Sequence, residues 1–295
     1  MRIAMTYTRI RTEERMLLDA FEQLGIDVTP IDLRLVVFNP HDLDDGETRW
    51  GQYNAVIDRS LSLTNTLTAV QMLEHYEIRC INPFRTIEIC SDKLSTALAL
   101  IRASVPTPPV RVATTSQSGL RGIEEIGYPV VLKPTIGSWG RLVARINDRD
   151  AAEAILEHRE LLGSVQQSVF YIQEHIDKPG RDIRVFMVGQ RPIAAITRSS
   201  EHWVTNTARG ARTQGLAISD ELADISCRAA AAVNADIVAV DLLECPRRGL
   251  LVNELNHSME FRNSTDCTGV NIPEHVARHV AQIAEDTQTP TEITA

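Results

Sequence analysis

The stretch IVAVDLLECPRRGLLVNELN, residues 237–256, contains the pattern of two short strands joined by a tight turn. Residues 237–244 and 250–256 are rich in Ile, Val, Ala and Leu, which favour strands with a buried face. The connecting CPRR carries Pro246 at its second position, where a turn accepts proline well. The pattern therefore predicts two neighbouring strands in the core of a globular protein.

Three oxygen-bearing side chains belong to this pair of strands. Glu254 and Asn256 are two residues apart and should lie on one face, because side chains alternate along a strand. The short turn brings Asp241 onto the neighbouring strand, where it can converge with them. Two carboxylates and one amide oxygen are hard ligands of the kind that Mg²⁺ prefers, so they form a candidate magnesium site. The alternative is that the carboxylates face solvent or pair with arginines.

A second signal follows a strand predicted at 129–133. Lys133 ends this strand, and the loop after it can turn backbone N–H groups toward an anion. The chain contains no GxxxxGK[ST] sequence, so the loop is not a P-loop. Taken alone, the pattern is also that of an ordinary hairpin turn. The candidate phosphate-loop residues are Gly137, Ser138, Trp139 and Gly140.

Two further segments carry cations or hydrogen-bond donors. The loop TNTARG supplies Asn206 and Arg209, and Arg198 ends the preceding strand. A planar guanidinium suits phosphate or carboxylate, although a solvated loop with incidental charges has the same pattern. Lys93 follows the N-cap of a helix predicted over about 91–103, where a cation opposes the helix dipole. A nearby phosphate would explain this lysine, whereas the ordinary interpretation is a surface residue.

Composition excludes several classes of protein. A length of 295 residues suits two or three compact subdomains, and an apolar fraction of 43% is that of a globular protein. A net charge of -9 argues against a non-specific nucleic-acid binder, since phosphates must be neutralised by Lys and Arg. No apolar run suits a membrane span, and charge begins too early for a secretory signal. Five scattered Cys without a CxxC pair argue against a zinc or disulfide framework and fit a cytoplasmic protein.

The order of predicted elements divides the chain. Strands alternate with helices over residues 1–88, which predicts a parallel sheet covered by helices. No glycine-rich loop follows the first strand, which excludes a dinucleotide-binding dehydrogenase. A small α+β unit follows over residues 89–169, a unit of long strands over 170–284, and a polar tail over 285–295. The predicted fold class is α/β with α+β subdomains.

Several segments together resemble one superfamily. They are YTRIRTEERML, LKPTIGSWGRL, FYIQEHIDKPGRDIRVF, VTNTARG and VNELNHSMEF, spread from residue 1 to about 284. In this order they look like an ATP-grasp fold that follows a parallel-sheet pre-ATP-grasp domain. The chain resembles ribosomal-protein glutamate ligases (RimK-like) and, more closely, the LysX/ArgX family, which loads an amino acid onto the carrier protein LysW. It departs from its relatives at Ala211, where glycine is common. The segment HSMEF differs from the Pro-Gly of wider ATP-grasp ligases and is similar to the carrier-ligase pattern.

The resemblance implies a role for each candidate residue. Lys133 and Arg209 would act in catalysis, and the segment 136–142 would form a lid over the phosphates. Two Mg²⁺ ions would be held by Asp241, Glu254 and Asn256. The implied nucleotide contacts are Lys93, Lys133, Gly137, Ser138, Trp139, Gly140, Gln173, Glu174, Asp182, Arg198 and Asn206.

The resemblance also implies a reaction. ATP would convert the side-chain carboxylate of the C-terminal Glu of a small acidic LysW-like carrier into an acyl phosphate. The α-amino group of 2-aminoadipate or glutamate would then displace phosphate, in lysine or arginine biosynthesis, and the enzyme is expected to be a homo-oligomer. In the family a residue pair after the magnesium Asn tracks with the amino acid, and Asn263–Ser264 here favours 2-aminoadipate.

Three alternatives remain open from the sequence. The enzyme could load glutamate only, or it could be a RimK-like ligase that adds glutamate to a protein tail. It could also be an inactive nucleotide-binding subunit of a pathway complex. The presence of all three candidate magnesium ligands argues against the last of these.

Overall fold

A computed structural model of the protein describes residues 1–42, 49–137, 141–163, 169–205 and 210–287. These residues form three β-sheets, one parallel and two antiparallel, with helices packed on their faces. The predicted α/β fold class, with its parallel N-terminal sheet, is confirmed. In the described ranges, every helix is too short or too polar to cross a membrane.

The first unit is the parallel sheet with its helices. In chain order its elements are β1 (Ile3–Tyr7), α1 (Thr12–Gln23), β2 (Val28–Asp32), a 3-10 helix (Trp50–Gln52), β3 (Ala55–Asp58), α2 (Leu63–His75) and β4 (Arg79–Ile81). The four strands lie in the order β2-β1-β3-β4. Helix α1 begins after Arg11, whose backbone N–H donates to the Glu14 carboxylate at 2.9 Å and closes the first turn. Helix α2 begins after Ser62, which accepts a hydrogen bond from the Asn65 backbone.

Two helices follow the parallel sheet. The second is the helix that the sequence predicts over about 91–103, whereas the first was not predicted. They are α3 (Phe84–Ser91) and α4 (Lys93–Arg102). Asp92 separates them because its backbone is extended and its carboxylate accepts a hydrogen bond from the Ser95 N–H at 2.7 Å. This break makes Lys93 the first residue of α4.

The second unit is a small antiparallel sheet covered by two helices. Its elements are β5 (Val110–Ala113), α5 (Ser116–Ile126), β6 (Val130–Lys133), β7 (Ala144–Ile146), α6 (Arg149–Leu162) and β8 (Phe170–Glu174). The strand order is β5-β8-β6-β7. Ile172 of β8 pairs with both Arg111 and Leu132, so β8 extends this sheet past residue 169, where the sequence predicts the unit to end. The division of the chain into subdomains otherwise remains a prediction.

The third unit is a five-stranded antiparallel sheet in the order β11-β10-β9-β12-β13. Side chains of the central strands alternate between two cores. Val185 and Val240 belong to the core that includes residues of α4 and α7, whereas Phe186 and Ala239 belong to the core that includes residues of α9 and the first unit. The elements are β9 (Arg181–Val188), β10 (Arg191–Ser199), β11 (Arg212–Gly215), α7 (Asp220–Ala232), β12 (Ile237–Cys245), β13 (Gly249–Asn256), α8 (Thr265–Thr268) and α9 (Ile272–Asp286).

A buried amide fixes the first unit against the third. The Asn82 side chain donates to the carbonyls of Ile237 at 2.8 Å and His257 at 3.1 Å. Its oxygen accepts hydrogen bonds from the backbone N–H groups of Asp236 and Ile237. Because these partners flank the start of β12 and the end of β13, the bonds set the first unit beside the residues that follow Asn256.

Candidate active site

A cavity of about 510 Å³ opens between the three units. Its wall includes Arg11 from the first unit, Lys133 from the second and Asp241 from the third. Most of the candidate residues in the described ranges therefore meet in one place. Those that line the cavity are Lys93, Lys133, Gly137, Gln173, Glu174, Asp182, Arg198, Asp241, Glu254 and Asn256.

Lys133 is a buried cation held by neutral groups. It ends β6, and its Nζ donates to Gln173 Oε1 at 2.9 Å and to Asn253 Oδ1 at 3.0 Å. Burial lowers the pKa of Lys133 to about 8, and the attraction of Glu254 opposes that shift only in part. An anion bound in the cavity would supply the negative charge that the two neutral amides cannot offer to the Lys133 ammonium.

Lys93 joins the start of α4 to the glycine loop. Its backbone N–H donates to the Thr135 carbonyl at 2.8 Å, and its Nζ donates to the Gly137 carbonyl at 2.7 Å. Both bonds bring the lysine to the loop that follows Lys133. A cation at a helix N-terminus is unfavourable by itself, and this one contacts the candidate phosphate loop.

Gln173 and Glu174 end β8 and line the cavity from one side. Gln173 is buried and donates to Asn253 Oδ1 at 3.1 Å, besides accepting from Lys133. Glu174 is partly buried and pairs with Arg248 in the turn between β12 and β13. A polar contact from Glu174 to a ligand would therefore compete with Arg248.

Asp241 is paired with two arginines. Arg184 donates from Nε and Nη2 to the two carboxylate oxygens at 2.7 and 2.8 Å, and Arg198 Nη2 lies 3.2 Å from Oδ2. Burial by itself would raise the pKa of Asp241, but the two guanidiniums overcome this effect and hold the pKa well below its ordinary value. The arginine pairing that the sequence left open as an alternative is thus present in this structure.

Glu254 and its neighbours reach the cavity through a β-bulge. The strand register shifts between Asp241 and Leu242, which leaves Asn253 unpaired between Glu254 and Val252. Asn253 and Glu254 are consecutive, yet both line the cavity, as does Asn256. Strict alternation would point Asn253 away from Glu254, so the sequence pattern did not identify this residue.

Asp182 belongs to a network of polar side chains in the cavity wall. Its two oxygens accept hydrogen bonds from Arg198 Nε at 2.7 Å and from the Thr205 hydroxyl at 2.5 Å, and Lys178 Nζ is 3.6 Å away. Arg198 therefore bridges Asp182 and Asp241. Lys178 and Arg184 were missed from the sequence, although Arg184 shares a strand face with Asp182 and alternation indicates that position.

The oxygens near Asp241 fit a magnesium ion in part. The Glu254 carboxylate and the Asn256 amide oxygen accept no hydrogen bond from another described residue. Arg184, Arg198 and Asn256 each contact Asp241 Oδ2, whereas among the described residues Oδ1 accepts a hydrogen bond only from Arg184 Nε. A cation could therefore approach Oδ1, whereas Oδ2 would first have to lose a donor. Across the described ranges no three His, Cys, Asp or Glu side chains form a metal-binding group, so the candidate set depends on the amide.

Family models match the chain over nearly its full length. The LysX preATP-grasp domain matches residues 3–89, and the RimK-like ATP-grasp domain matches residues 90–280. The chain belongs to the RimK-like ATP-grasp family. The glutamate–LysW ligase ArgX of Sulfurisphaera tokodaii is 30% identical, over 96% of this chain and 99% of that protein. The alpha-aminoadipate–LysW ligase LysX of the same organism is 31% identical, over 95% and 98%.

Solved structures agree with this assignment. The RimK domain ATP-grasp protein of Sphaerobacter thermophilus superposes with a TM-score of 0.76 at 25% identity, covering 95% of this chain and 99% of that one. The family, the ATP-grasp fold and the class of enzyme, an ATP-dependent acid–amino-acid ligase, are thereby confirmed. The two LysW ligases act on different amino acids at almost equal identity, so similarity does not choose between them.

Some predicted residues of this ATP-grasp ligase lie outside the described ranges. They are Ser138, Trp139, Gly140, Asn206 and Arg209. The predicted specificity pair is described but does not line the cavity. Asn263 is exposed, and Ser264 is buried at the start of α8, where its N–H donates to the Phe261 carbonyl at 2.8 Å.

Proposed function

We propose that this protein joins the α-amino group of 2-aminoadipate, of glutamate or of both to the side-chain carboxylate of the C-terminal Glu of a LysW-like carrier. The observation that carries this proposal is the full-length similarity to two LysW ligases, together with a single cavity that gathers cations and hard oxygen ligands. The product would serve lysine or arginine biosynthesis. Asn263–Ser264 leads us to favour 2-aminoadipate.

The first half of the proposed reaction is phosphoryl transfer from ATP to the carrier carboxylate. Lys93 and Lys133, which line the cavity, would hold the phosphates, and Gln173 and Glu174 would contact the nucleotide. Asp241, Glu254 and Asn256 would hold two Mg²⁺ ions, which supply positive charge against the phosphate oxygens. Asp182, Arg198 and Asn206 would be further contacts to the nucleotide, and Arg198 also pairs with Asp241.

The second half is attack of the amine on the acyl phosphate. Nitrogen forms a bond to the carbonyl carbon, and the bond to the phosphate oxygen breaks as inorganic phosphate leaves. We propose that Arg209 stabilises the oxyanion of the tetrahedral intermediate. No side-chain nucleophile takes part, because the phosphate already activates the carboxylate.

The test is ligation with a purified LysW-like carrier, MgATP and one amino acid at a time, followed by mass spectrometry of the carrier. We expect a mass gain with 2-aminoadipate. A gain with glutamate alone would show that Asn263–Ser264 does not decide the substrate. No gain with either amino acid, but a gain on a ribosomal-protein tail with glutamate, would favour the RimK-like alternative. Binding of ATP without transfer to any acceptor would indicate an inactive subunit.

Lys133 predicts a pH dependence of nucleotide affinity. Its pKa of about 8 means that the ammonium is present below this pH and is lost above it. A bound triphosphate favours the charged form and raises the pKa in the complex. ATP affinity, measured by calorimetry without Mg²⁺, should therefore fall by up to about tenfold per pH unit above pH 8.

The control for this prediction is Lys133→Arg, which stays charged over the whole range. Its ATP affinity should change little between about pH 7 and pH 9.5. Equal slopes of ATP affinity against pH in the wild type and the variant would show that another group titrates.

We propose from the family resemblance alone that the protein is a homo-oligomer. A monomeric mass by light scattering would contradict this proposal.

A further inference from the structure

One end of the cavity is not used by the proposed nucleotide and magnesium contacts. It is lined by Arg11 and Ser60 from the first unit and by Ser258 and Glu260 from the segment after β13. Glu260 is four residues beyond Asn256, in the HSMEF segment that follows the candidate magnesium ligands. At about 3.3 Å per residue, four residues reach at most about 13 Å, so Glu260 lies within about 13 Å of Asn256.

Arg11 is held rigidly with donors to spare. Its Nε and Nη2 donate to the two oxygens of Glu14 at 2.9 Å, and the Glu14 side chain has no exposed surface. Its Nη1 donates to Glu260 at 3.2 Å. A guanidinium has five N–H donors, so these three bonds leave two donors without a partner among the described residues. A planar fork with spare donors at a cavity wall suits a carboxylate.

The segment that carries Glu260 is fixed on both sides. Arg59, with 1% of its side chain exposed, donates to the Met259 carbonyl at 3.0 Å and to Glu14 at 3.1 Å. The same guanidinium lies 5.9 Å from the centre of the buried Phe261 ring. Glu260 lies between these two anchored residues, and 35% of its side chain remains exposed. The backbone thus holds a carboxylate at the cavity wall, beside the Arg11 fork.

We propose that Arg11 and Glu260 bind the amino-acid substrate, Arg11 through its α-carboxylate and Glu260 through its α-ammonium group. An α-amino acid presents one negative and one positive group a bond or two apart, and the 3.2 Å pair presents the matching opposite charges. The substrate would exchange partners with this ion pair. The inference rests on the proposed function, because it assigns the amine-binding end of the same cavity. Asn263 and Ser264, which do not line the cavity, would then influence the substrate without contacting it.

The test separates the two halves of the reaction. Hydroxylamine replaces the amino acid in one assay and traps the acyl phosphate of the carrier as a hydroxamate, which is detected by mass. We expect Glu260→Gln to form hydroxamate within about twofold of wild type, whereas KM for the amino acid rises at least tenfold. Glu285→Gln, an exposed change near the end of α9, serves as the matched control and should alter neither assay.

Arg11 is tested with a second substrate. Arg11→Lys keeps the charge near Glu14 but loses the planar fork. It should raise KM for the amino acid about tenfold. An analogue whose α-carboxylate is replaced by a carboxamide has no carboxylate for Arg11 to bind, so its KM should change by less than about twofold. If Arg11→Lys raises KM for both substrates and reduces hydroxamate formation to the same degree, Arg11 has a structural role and the inference is overturned.

The outcomes for the proposed function are distinct. If the wild type forms no hydroxamate with carrier and MgATP, the acyl-phosphate reaction itself is wrong, and the inference falls with it. If the wild type forms hydroxamate and both variants keep the wild-type KM for the amino acid, the proposed function stands and Arg11 and Glu260 do not bind the substrate.

Discussion

Replacing Glu254 with alanine is expected to lower the rate of ligation by about a thousandfold or more. The carboxylate faces the cavity, and no described residue donates a hydrogen bond to it, so its oxygens are available to a cation. Charge stabilisation of this kind in a transition state is worth about 4 kcal/mol, and each 1.36 kcal/mol is a factor of about ten. The measurement is single-turnover transfer of amino acid to the carrier at saturating MgATP.

The same variant should keep its fold. Glu254 makes no ion pair or hydrogen bond within the described residues, and it attracts the buried Lys133 only at longer range. Its loss should therefore change the free energy of unfolding by about 1 kcal/mol. Glu157→Ala, an exposed residue of α6, makes the same chemical change outside the cavity and should keep full activity. Magnesium-dependent turnover at the wild-type rate in Glu254→Ala would remove this residue from the metal site.

Replacing Asp241 with alanine is expected to have a different result, with activity and stability lost together. Asp241 is buried and accepts a bidentate bond from Arg184 and a further contact from Arg198. Arg198 retains Asp182 as a partner, whereas Arg184 loses its carboxylate partner. Removing one partner of a buried ion pair costs about 3–5 kcal/mol. Urea unfolding should therefore show a loss of about 3 kcal/mol or more, which Glu254→Ala does not show.

The double variant Asp241→Ala with Arg184→Ala identifies the cause. It removes the uncompensated guanidinium, so it should recover a substantial part of the lost stability while remaining inactive. An unfolding free energy of Asp241→Ala close to that of Glu254→Ala would show that the arginine pairs contribute little. Comparing the two carboxylates in this way distinguishes a ligand position from a position that also organises the site.

Asp241 has one partner type in the structure and another in the proposed function. In the structure, its carboxylate accepts hydrogen bonds from arginines, whereas the proposed function requires it to bind Mg²⁺. Cation binding through Oδ2 would require Arg184 or Arg198 to turn away, and the phosphate groups of a nucleotide are anions to which a guanidinium could turn.

Local patterns in the sequence were sufficient to predict the parallel sheet, most of the strands and the pair β12 and β13. Period-2 alternation and turn residues act over a few positions, so they are visible without knowing the rest of the fold. The same is true of Lys133 at a strand end and of Glu254 and Asn256 on one face. The order of these motifs was enough to indicate the family. Each motif alone has an ordinary alternative interpretation, whereas all of them in this order resemble the family.

The tertiary structure decided what depends on register and on contacts between distant segments. Alternation could not reveal the bulge that turns Asn253 into the cavity, because a bulge is set by the pairing of two strands. Pairing also placed β8 in the sheet of the second unit. Helix α3 ends directly before Asp92 and was not predicted, whereas the predicted helix that Asp92 caps is present as α4. Arg11 and Glu260 are 249 residues apart in the chain and 3.2 Å apart in space. Sequence alone thus determined which chemical groups the protein carries, and long-range packing decided which of them share a cavity, because local propensity carries no information about distant partners.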